Sequence, residues 1–124
     1  MIKVASPIKG PFKDENAFKQ AVLKFWRKNC LFTYFEIENE EKTPGMPDVL
    51  AMSQVQRAFF AEFKISDARG VIEFQKTQPL FYKQNKKLQI EILAWDVRFN
   101  RIVLISPEEV IAAKKLKIKL PEEL

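Results

Sequence analysis

Three residues carry the strongest chemical signal in the sequence: Asp48, Glu62 and Lys64. If the strands that hold Asp48 and Glu62 form a hairpin, its numerical midpoint is residue 55, inside the polar stretch 53–56 where a turn is expected. The two carboxylates then face each other with Cβ atoms about 5 Å apart. Carboxylates at that spacing can share a hard divalent cation such as Mg²⁺ or Mn²⁺. Lys64 lies two residues further along the same face, so its ammonium can reach the same place.

Taken singly, each part of this constellation has a plainer explanation. A Glu-x-Lys pair is often a solvated strand face with a weak ion pair, and an aspartate after Pro-Gly-Met-Pro is often only turn chemistry. The mirror-image spacing of Asp48 and Glu62 favours a metal site instead. A metal held there can bind a phosphate oxygen and lower the pKa of an attacking water. A lysine beside it can position that water or offset charge in the transition state.

The composition excludes several classes of enzyme. The 124-residue chain has no histidine, which excludes Ser-His and Cys-His nucleophile pairs, His-ligated zinc and imidazole acid–base chemistry. Its one cysteine, Cys30, excludes an internal disulfide framework and favours a reducing compartment. The 21 Lys and Arg against 16 Asp and Glu give a net charge of +5, which favours a polyanionic partner. No apolar run approaches the ~20 residues of a membrane span.

The hydrophobic pattern predicts one α/β domain over residues 1–124. With 47% hydrophobic and 30% charged residues, the composition is that of a globular protein. The order is helix, three strands, helix, two strands, helix (αβββαββα), which predicts a mixed β-sheet flanked by helices. We assign residues 1–13 to an N-terminal arm, about 14–106 to the core, and 107–124 to a C-terminal helix and tail.

The first helix is expected to begin at an Asp14 N-cap and to run to about Asn29. Ser66–Gly70 is expected to be a polar loop. The remaining predicted strands are Leu31–Glu38, Val49–Met52, Arg57–Ile65, Gln89–Val97 and Arg101–Ser106, and the remaining helices run from about Thr77 to Lys87 and from Pro107 to near Lys115.

The motif Gly45-Met46-Pro47-Asp48, followed by Glu62-Phe63-Lys64, resembles that of the PD-(D/E)xK nuclease superfamily. Within it, the short chain and the G-x-P-D form are most similar to small Holliday-junction resolvases and VRR-NUC nucleases. The resemblance covers about residues 14–106. It implies a restriction-endonuclease-like core and Mg²⁺-dependent phosphodiester hydrolysis, with Mn²⁺ as a substitute. It also implies that Asp48 and Glu62 bind the metal together with the carbonyl of Phe63, and that Lys64 is catalytic.

The same resemblance adds a glutamate from the first helix and a glutamine from the helix that follows the Glu-x-Lys strand. Glu15 fits the first role, because it extends the apolar face of its helix; the alternative is that it only favours the helix dipole. Gln78 and Gln75 both fit the second role. Gln78 lies on the inward stripe of the predicted helix, whereas Gln75 matches the shorter VRR-NUC spacing, and either could be a surface amide.

Four cations could contact phosphates near this site: Arg69, Lys76, Lys83 and Lys86. Arg69 is the preferred candidate because it lies in a loop beside the site. A solvated face is the simpler explanation for the lysines.

These observations predict a metal-dependent DNA endonuclease in the cytoplasm (or the host-cell cytoplasm, if the protein is viral). By analogy with the family, its substrate is branched DNA such as a four-way junction, in recombination or repair. A resolvase of this kind acts as a two-fold homodimer. A flap or single-strand nuclease is the nearest alternative, and a catalytically inactive DNA-binding subunit of the same fold is a second.

Overall fold

The computed structural model describes residues 1–38, 42–55 and 57–124 of the chain. Four helical segments are present in that part: α1 (Glu15–Lys28), α2 (Thr77–Gln84), α3 (Pro107–Ala112) and a 3₁₀ turn (Lys114–Leu116). The strands are β1 (Ile2–Val4), β2 (Thr33–Glu36), β3 (Val49–Met52), β4 (Phe59–Ile65), β5 (Val71–Glu73), β6 (Ile90–Asp96), β7 (Arg101–Ile105) and β8 (Lys117–Lys119).

Six of these strands form one mixed sheet in the order β1-β7-β6-β4-β3-β2. Only β4 and β6 are parallel, and α2 lies in the connection between them; the other neighbours in this sheet are antiparallel. Strands β5 and β8 pair separately as a two-stranded ribbon. The predicted mixed sheet flanked by helices is therefore confirmed, and all eight predicted elements are present in their predicted order.

The two faces of the large sheet bury two hydrophobic clusters. On one face, α1 packs against side chains of β3, β4 and β6, with Phe18 of the helix 5.8 Å from Phe63 of β4 between ring centroids. On the other face, α2, α3 and the β5–β8 ribbon cover the alternate residues of β6 and β7. Because side chains alternate along a strand, Glu62 and Lys64 share the α2 face with Phe60, and Phe63 points towards α1.

The first helix forms where its sequence signals predict it. The Asp14 carboxylate accepts a hydrogen bond from the N–H of Ala17 at 2.8 Å, so the predicted N-cap is confirmed. The helix buries Phe18, Val22 and Trp26, whereas Phe25 is only half-buried.

Three short strands were not predicted. Ile2–Val4, within the expected N-terminal arm, forms β1 and pairs with β7. Val71–Glu73 follows the Ser66–Gly70 loop as β5 and pairs with β8 near the C-terminus. The last helix also ends at Ala112 rather than near Lys115. Strands of three residues show too little alternation to be recognised in sequence, and their pairing partners lie far away along the chain.

A buried ion cluster attaches the C-terminal segment to the β6–β7 turn. Asp96 is fully buried and accepts hydrogen bonds from Arg98 and Arg101, each with its Nε 3.0–3.1 Å from the carboxylate. Arg98 also donates to the carbonyl of Leu120 at 3.0 Å. The C-terminal segment is thereby held beside Gly70, whose φ of +79° suits glycine and whose missing side chain makes room for Arg98.

Candidate active site

Asp48 and Glu62 face each other on adjacent strands. The β3–β4 ladder pairs Val49 with Ala61 and Leu50 with Phe60, a register that places Asp48 directly opposite Glu62. The predicted hairpin register is therefore confirmed, although Gln56, at the end of its predicted turn, lies outside the described residues. The two carboxyl groups are near enough to share a hydrogen bond.

The loop before Asp48 is held against α2. Gly45 has a φ of +86°, and a Cβ at this position would lie 2.1 Å from the carbonyl oxygen of Thr77. Only glycine allows this approach without displacing the first turn of α2. Beyond the loop, the carbonyl of Asp48 accepts a hydrogen bond from the N–H of Ile37 at 2.8 Å, which extends the β2–β3 pairing to the site.

Burial changes the acidity of Glu62. The side chain lies in β4 and only 5% of the residue is exposed. Loss of solvation, followed by the negative charge of Asp48, raises its pKa from 4.5 to about 8, and the charges of Lys64 and Lys42 oppose the shift. Two carboxyl groups that repel each other in this way share a proton or require a cation between them.

Lys64 is a buried cation beside the carboxyl groups. It is 6% exposed, and its ammonium lies 5.1 Å from the centre of the Phe74 ring. In the part of the chain that the structure describes, it makes no salt bridge or hydrogen bond. Its charge acts on both Glu62 and Glu15. A buried ammonium that has no ion-pair partner among the described residues, and that lies beside Glu62 and Glu15, is suited to interact with a ligand.

The structure distinguishes the two glutamines that the sequence left as alternatives. Gln78, in the first turn of α2, is 5% exposed and its Nε2 donates to the Glu62 carboxylate at 3.2 Å. Its Oε1 accepts from the backbone N–H of Gln75 at 2.8 Å. Gln78 therefore orients Glu62, whereas Gln75 is exposed on the rim of the same cleft.

Two further residues near the carboxylates were not identified from the sequence. Lys42 forms an ion pair with Asp48. Tyr82 of α2 is 1% exposed, its hydroxyl has no hydrogen-bond partner among the described residues, and loss of solvation, followed by the charges of Glu62 and Asp48, raises its pKa. Lys42 precedes the motif in an irregular segment, and Tyr82 reads as an ordinary core aromatic, so neither carries a signal in the sequence.

Glu15 borders the same cleft from the opposite side. Glu15 is an exposed residue, yet partial loss of solvation raises the pKa of its carboxyl group. The charge of Lys64 and a hydrogen bond from the backbone N–H of Ile65 lower that pKa in part. The charge of Asp48 also reaches it. Glu15 is at once the first residue of α1 and a cleft residue, so both of its predicted roles remain compatible with its position.

The cleft that these residues line has a volume of about 380 Å³. Arg69 lies outside it, in a neighbouring groove that shares Glu15, with its guanidinium paired to Asp67 at 3.1 Å. Lys86 lines a different groove between α2 and α3. Lys76 and Lys83 are exposed at the two ends of α2. The structure therefore gathers the predicted carboxylates, lysine and glutamines but does not bring these four cations into the cleft.

The donor set suits a hard cation without forming a complete cage. In residues 1–38, 42–55 and 57–124, no group of three or more His, Cys, Asp or Glu side chains is close enough to hold a metal ion. The cleft contains one pair of facing carboxyl groups, Asp48 and Glu62, and the ionised form of Glu62 is disfavoured by its burial and by the charge of Asp48. A divalent cation would relieve that repulsion, with water or substrate oxygens as its remaining ligands. The residues present therefore fit a Mg²⁺ site of the open kind.

Comparison of the chain with protein-family models, with curated proteins and with solved structures finds no match. Among the described helices, none has the length and apolar character needed to cross a bilayer.

Proposed function

We propose that this chain is a metal-dependent DNA endonuclease of the PD-(D/E)xK type, built on a restriction-endonuclease-like core. One observation carries the proposal: Asp48 and Glu62 face each other across β3 and β4, and the buried Lys64, which has no ion-pair partner among the described residues, lies two residues further along the same face. A structural carboxylate pair would more simply be replaced by apolar residues, because buried like charges destabilise the fold.

In this proposal each residue has a separate task. Asp48 and Glu62, with the carbonyl of Phe63, hold Mg²⁺ or Mn²⁺; Glu15 adds a carboxylate at the cleft entrance. The bound cation supplies polarisation of a phosphodiester oxygen and a lowered pKa for the attacking water. Gln78 keeps Glu62 in position through its 3.2 Å hydrogen bond. The Lys64 ammonium orients the water or offsets the charge that develops on the phosphate.

The substrate and assembly follow from the family analogy. Branched DNA, such as a four-way junction in recombination or repair, is the proposed substrate, and a symmetric cut of that junction requires a two-fold dimer. Arg69, Lys76, Lys83 and Lys86, all exposed, are available for phosphates outside the cleft. We place this activity in the cytoplasm, where a lone, exposed Cys30 stays reduced.

The test is a cleavage panel in Mg²⁺ and in Mn²⁺ with a four-way junction, a flap, a linear duplex and a single strand. The wild type is compared with Glu62→Gln and with Glu91→Gln. Glu91 is the matched control because it pairs with Ala61, next to Glu62, and so lies on the opposite face of the sheet. We expect metal-dependent cutting by the wild type and Glu91→Gln only.

The outcomes separate the alternatives. Cutting of the junction alone supports a resolvase and makes light scattering of the dimer the next measurement. Cutting of the flap or the single strand keeps the chemistry and changes the substrate. DNA binding without cutting in either metal, together with no Mn²⁺ binding, would replace the enzyme by a catalytically inactive DNA-binding subunit.

A further inference from the structure

An apolar row lies beside the carboxylates on the same face of the sheet. The ladders align Phe35 of β2 with Leu50 of β3, and Leu50 with Phe60 of β4. These three residues are called the Phe35 row. Asp48 and Glu62 form the next row on that face, because each lies two residues from its counterpart, Leu50 or Phe60, along its strand.

Unlike the core beneath α2, the Phe35 row is open to solvent at its outer end. Phe35 is 57% exposed on the outermost strand of the sheet, and Leu50 and Phe60 are half-buried. Phe35 makes no ring contact within the described part of the chain. Next to Phe60 on the neighbouring strand, Ile90 of β6 is buried in the hydrophobic cluster under α2. The exposed part of the row is therefore one phenylalanine ring, in the row next to that of Asp48 and Glu62.

The spacing of the two rows matches a nucleotide. Phe35 is two residues along the strand direction and one strand across from Asp48, which separates the two backbone positions by about 8 to 9 Å. The Phe35 ring and the Asp48 carboxylate project from the same face, so this separation is comparable to that between a phosphate and the base of the same nucleotide. With the proposed divalent cation between Asp48 and Glu62, a ligand that fits both rows carries an anionic group at one end and a flat, weakly polar face at the other. Every nucleic-acid base has such a face, and stacking on an aromatic side chain is indifferent to sequence.

We infer that Phe35 is a stacking platform for an unpaired base whose own phosphate lies at Asp48 and Glu62. This inference rests on the proposed nuclease function and selects, among the DNA structures of the cleavage panel, those with at least one unpaired nucleotide (the flap and the single strand) over the fully paired four-way junction. A base inside an intact duplex is already stacked on both faces and is not available to Phe35. A second copy of the chain is the weaker occupant, because one exposed phenylalanine on a four-residue strand falls far short of the ~800 Å² per partner of a stable interface.

The experiment measures binding of a fluorescent thymidine 12-mer and of a blunt duplex of equal length by anisotropy, in Ca²⁺. The variants are Phe35→Ala, Phe35→Tyr and the matched control Phe99→Ala. Phe99 is the other strongly exposed phenylalanine, at 49%, and it lies in the distant β6–β7 turn. We expect Phe35→Ala to weaken single-strand binding by about 5- to 150-fold, the range for one base–aromatic stack. Phe35→Tyr and Phe99→Ala should bind as the wild type does, and duplex binding should be unchanged in every variant.

A direct readout comes from Phe35→Trp. The natural tryptophans, Trp26 and Trp95, are buried, so an indole at position 35 reports on its own surroundings. We expect the oligonucleotide to quench it, and no quenching would overturn the inference. Equal losses for Phe35→Ala and Phe99→Ala, equal losses on single strand and duplex, or no single-strand binding by the wild type would also overturn it.

Failure of the proposed function gives a different pattern. If the wild type cuts no DNA but binds the single strand through Phe35, the result supports Phe35 as a stacking site and contradicts the proposed nuclease activity. If the wild type cuts DNA while Phe35→Ala binds and cuts like the wild type, the result supports the proposed nuclease activity and contradicts the stacking role of Phe35.

Discussion

Replacing Glu62 by glutamine is expected to remove a folding penalty that grows with pH. Glu62 is 5% exposed, and loss of solvation together with the charge of Asp48 raises its pKa to about 8 from its ordinary value of 4.5. Glutamine has almost the same shape, is neutral at every pH, and can still accept the hydrogen bond from Gln78. The substitution therefore changes the charge and little else.

The sign and the size follow from proton linkage. Below pH 4.5 both the folded and the unfolded chain carry the Glu62 proton, so the full stability is present. Between 4.5 and about 8 the unfolded chain loses that proton while the folded chain retains it, so the free energy of unfolding falls by about 1.4 kcal/mol per pH unit. Over the whole interval the loss is on the order of 5 kcal/mol, which is a large part of the stability of a domain of this size.

Urea unfolding between about pH 5 and pH 8, in EDTA, measures this effect. The free energy of unfolding of Glu62→Gln minus that of the wild type should rise with pH. Glu91→Gln, on the opposite face, should follow the wild type. Parallel profiles for the wild type and Glu62→Gln would refute the reasoning, because they would mean that Glu62 titrates alike in the folded and unfolded chain.

Other carboxyl groups do not obscure the comparison. The pKa values of Asp67, Asp96 and Glu109 are lowered by their hydrogen bonds, so the stability they contribute is lost at pH values below this window. The pKa of Glu15 is raised, so Glu15 also contributes a decrease in the free energy of unfolding as pH increases. It does so in the wild type and in Glu62→Gln, so its contribution cancels in the difference between the two proteins, which reports on Glu62 together with its interaction with Asp48.

Three further predictions concern other charged side chains. Lys64→Met should lower the cleavage rate by at least about 100-fold while leaving the urea midpoint unchanged or higher, because it removes a buried ammonium that has no ion-pair partner in the described part of the chain. Asp96→Asn should destabilise the fold by about 3–5 kcal/mol in urea, because two arginines lose their buried anion. Lys42→Gln should strengthen Mn²⁺ binding, measured calorimetrically, by up to about fivefold, because Lys42 no longer competes for Asp48.

Each of these has a result that would contradict it. A cutting rate for Lys64→Met near that of the wild type would remove Lys64 from the chemistry. An unchanged urea midpoint for Asp96→Asn would mean that the C-terminal attachment contributes nothing to stability. Weaker Mn²⁺ binding by Lys42→Gln would make Lys42 a support of Asp48 rather than a competitor of the cation.

Part of the candidate site follows from local patterns alone. The alternation along β4 puts Glu62 and Lys64 on one face, and the distance of Asp48 and Glu62 from the polar turn sets their register. The same is true of the Asp14 cap that begins α1. Interactions of this kind involve residues close together in the chain, so their spacing is visible in sequence.

Only the tertiary structure decides the contacts between distant elements. It selects Gln78 over Gln75 as the partner of Glu62, it brings Lys42 to Asp48, and it leaves Phe35 exposed beside them. It also pairs β1 with β7 and β5 with β8. Each of these depends on how the layers pack and where the sheet ends, and the free energy of such packing is shared among many residues. The spacing of residue types along the chain therefore predicts which groups could react, whereas the packing of α2 and the edge strand determines which groups they meet.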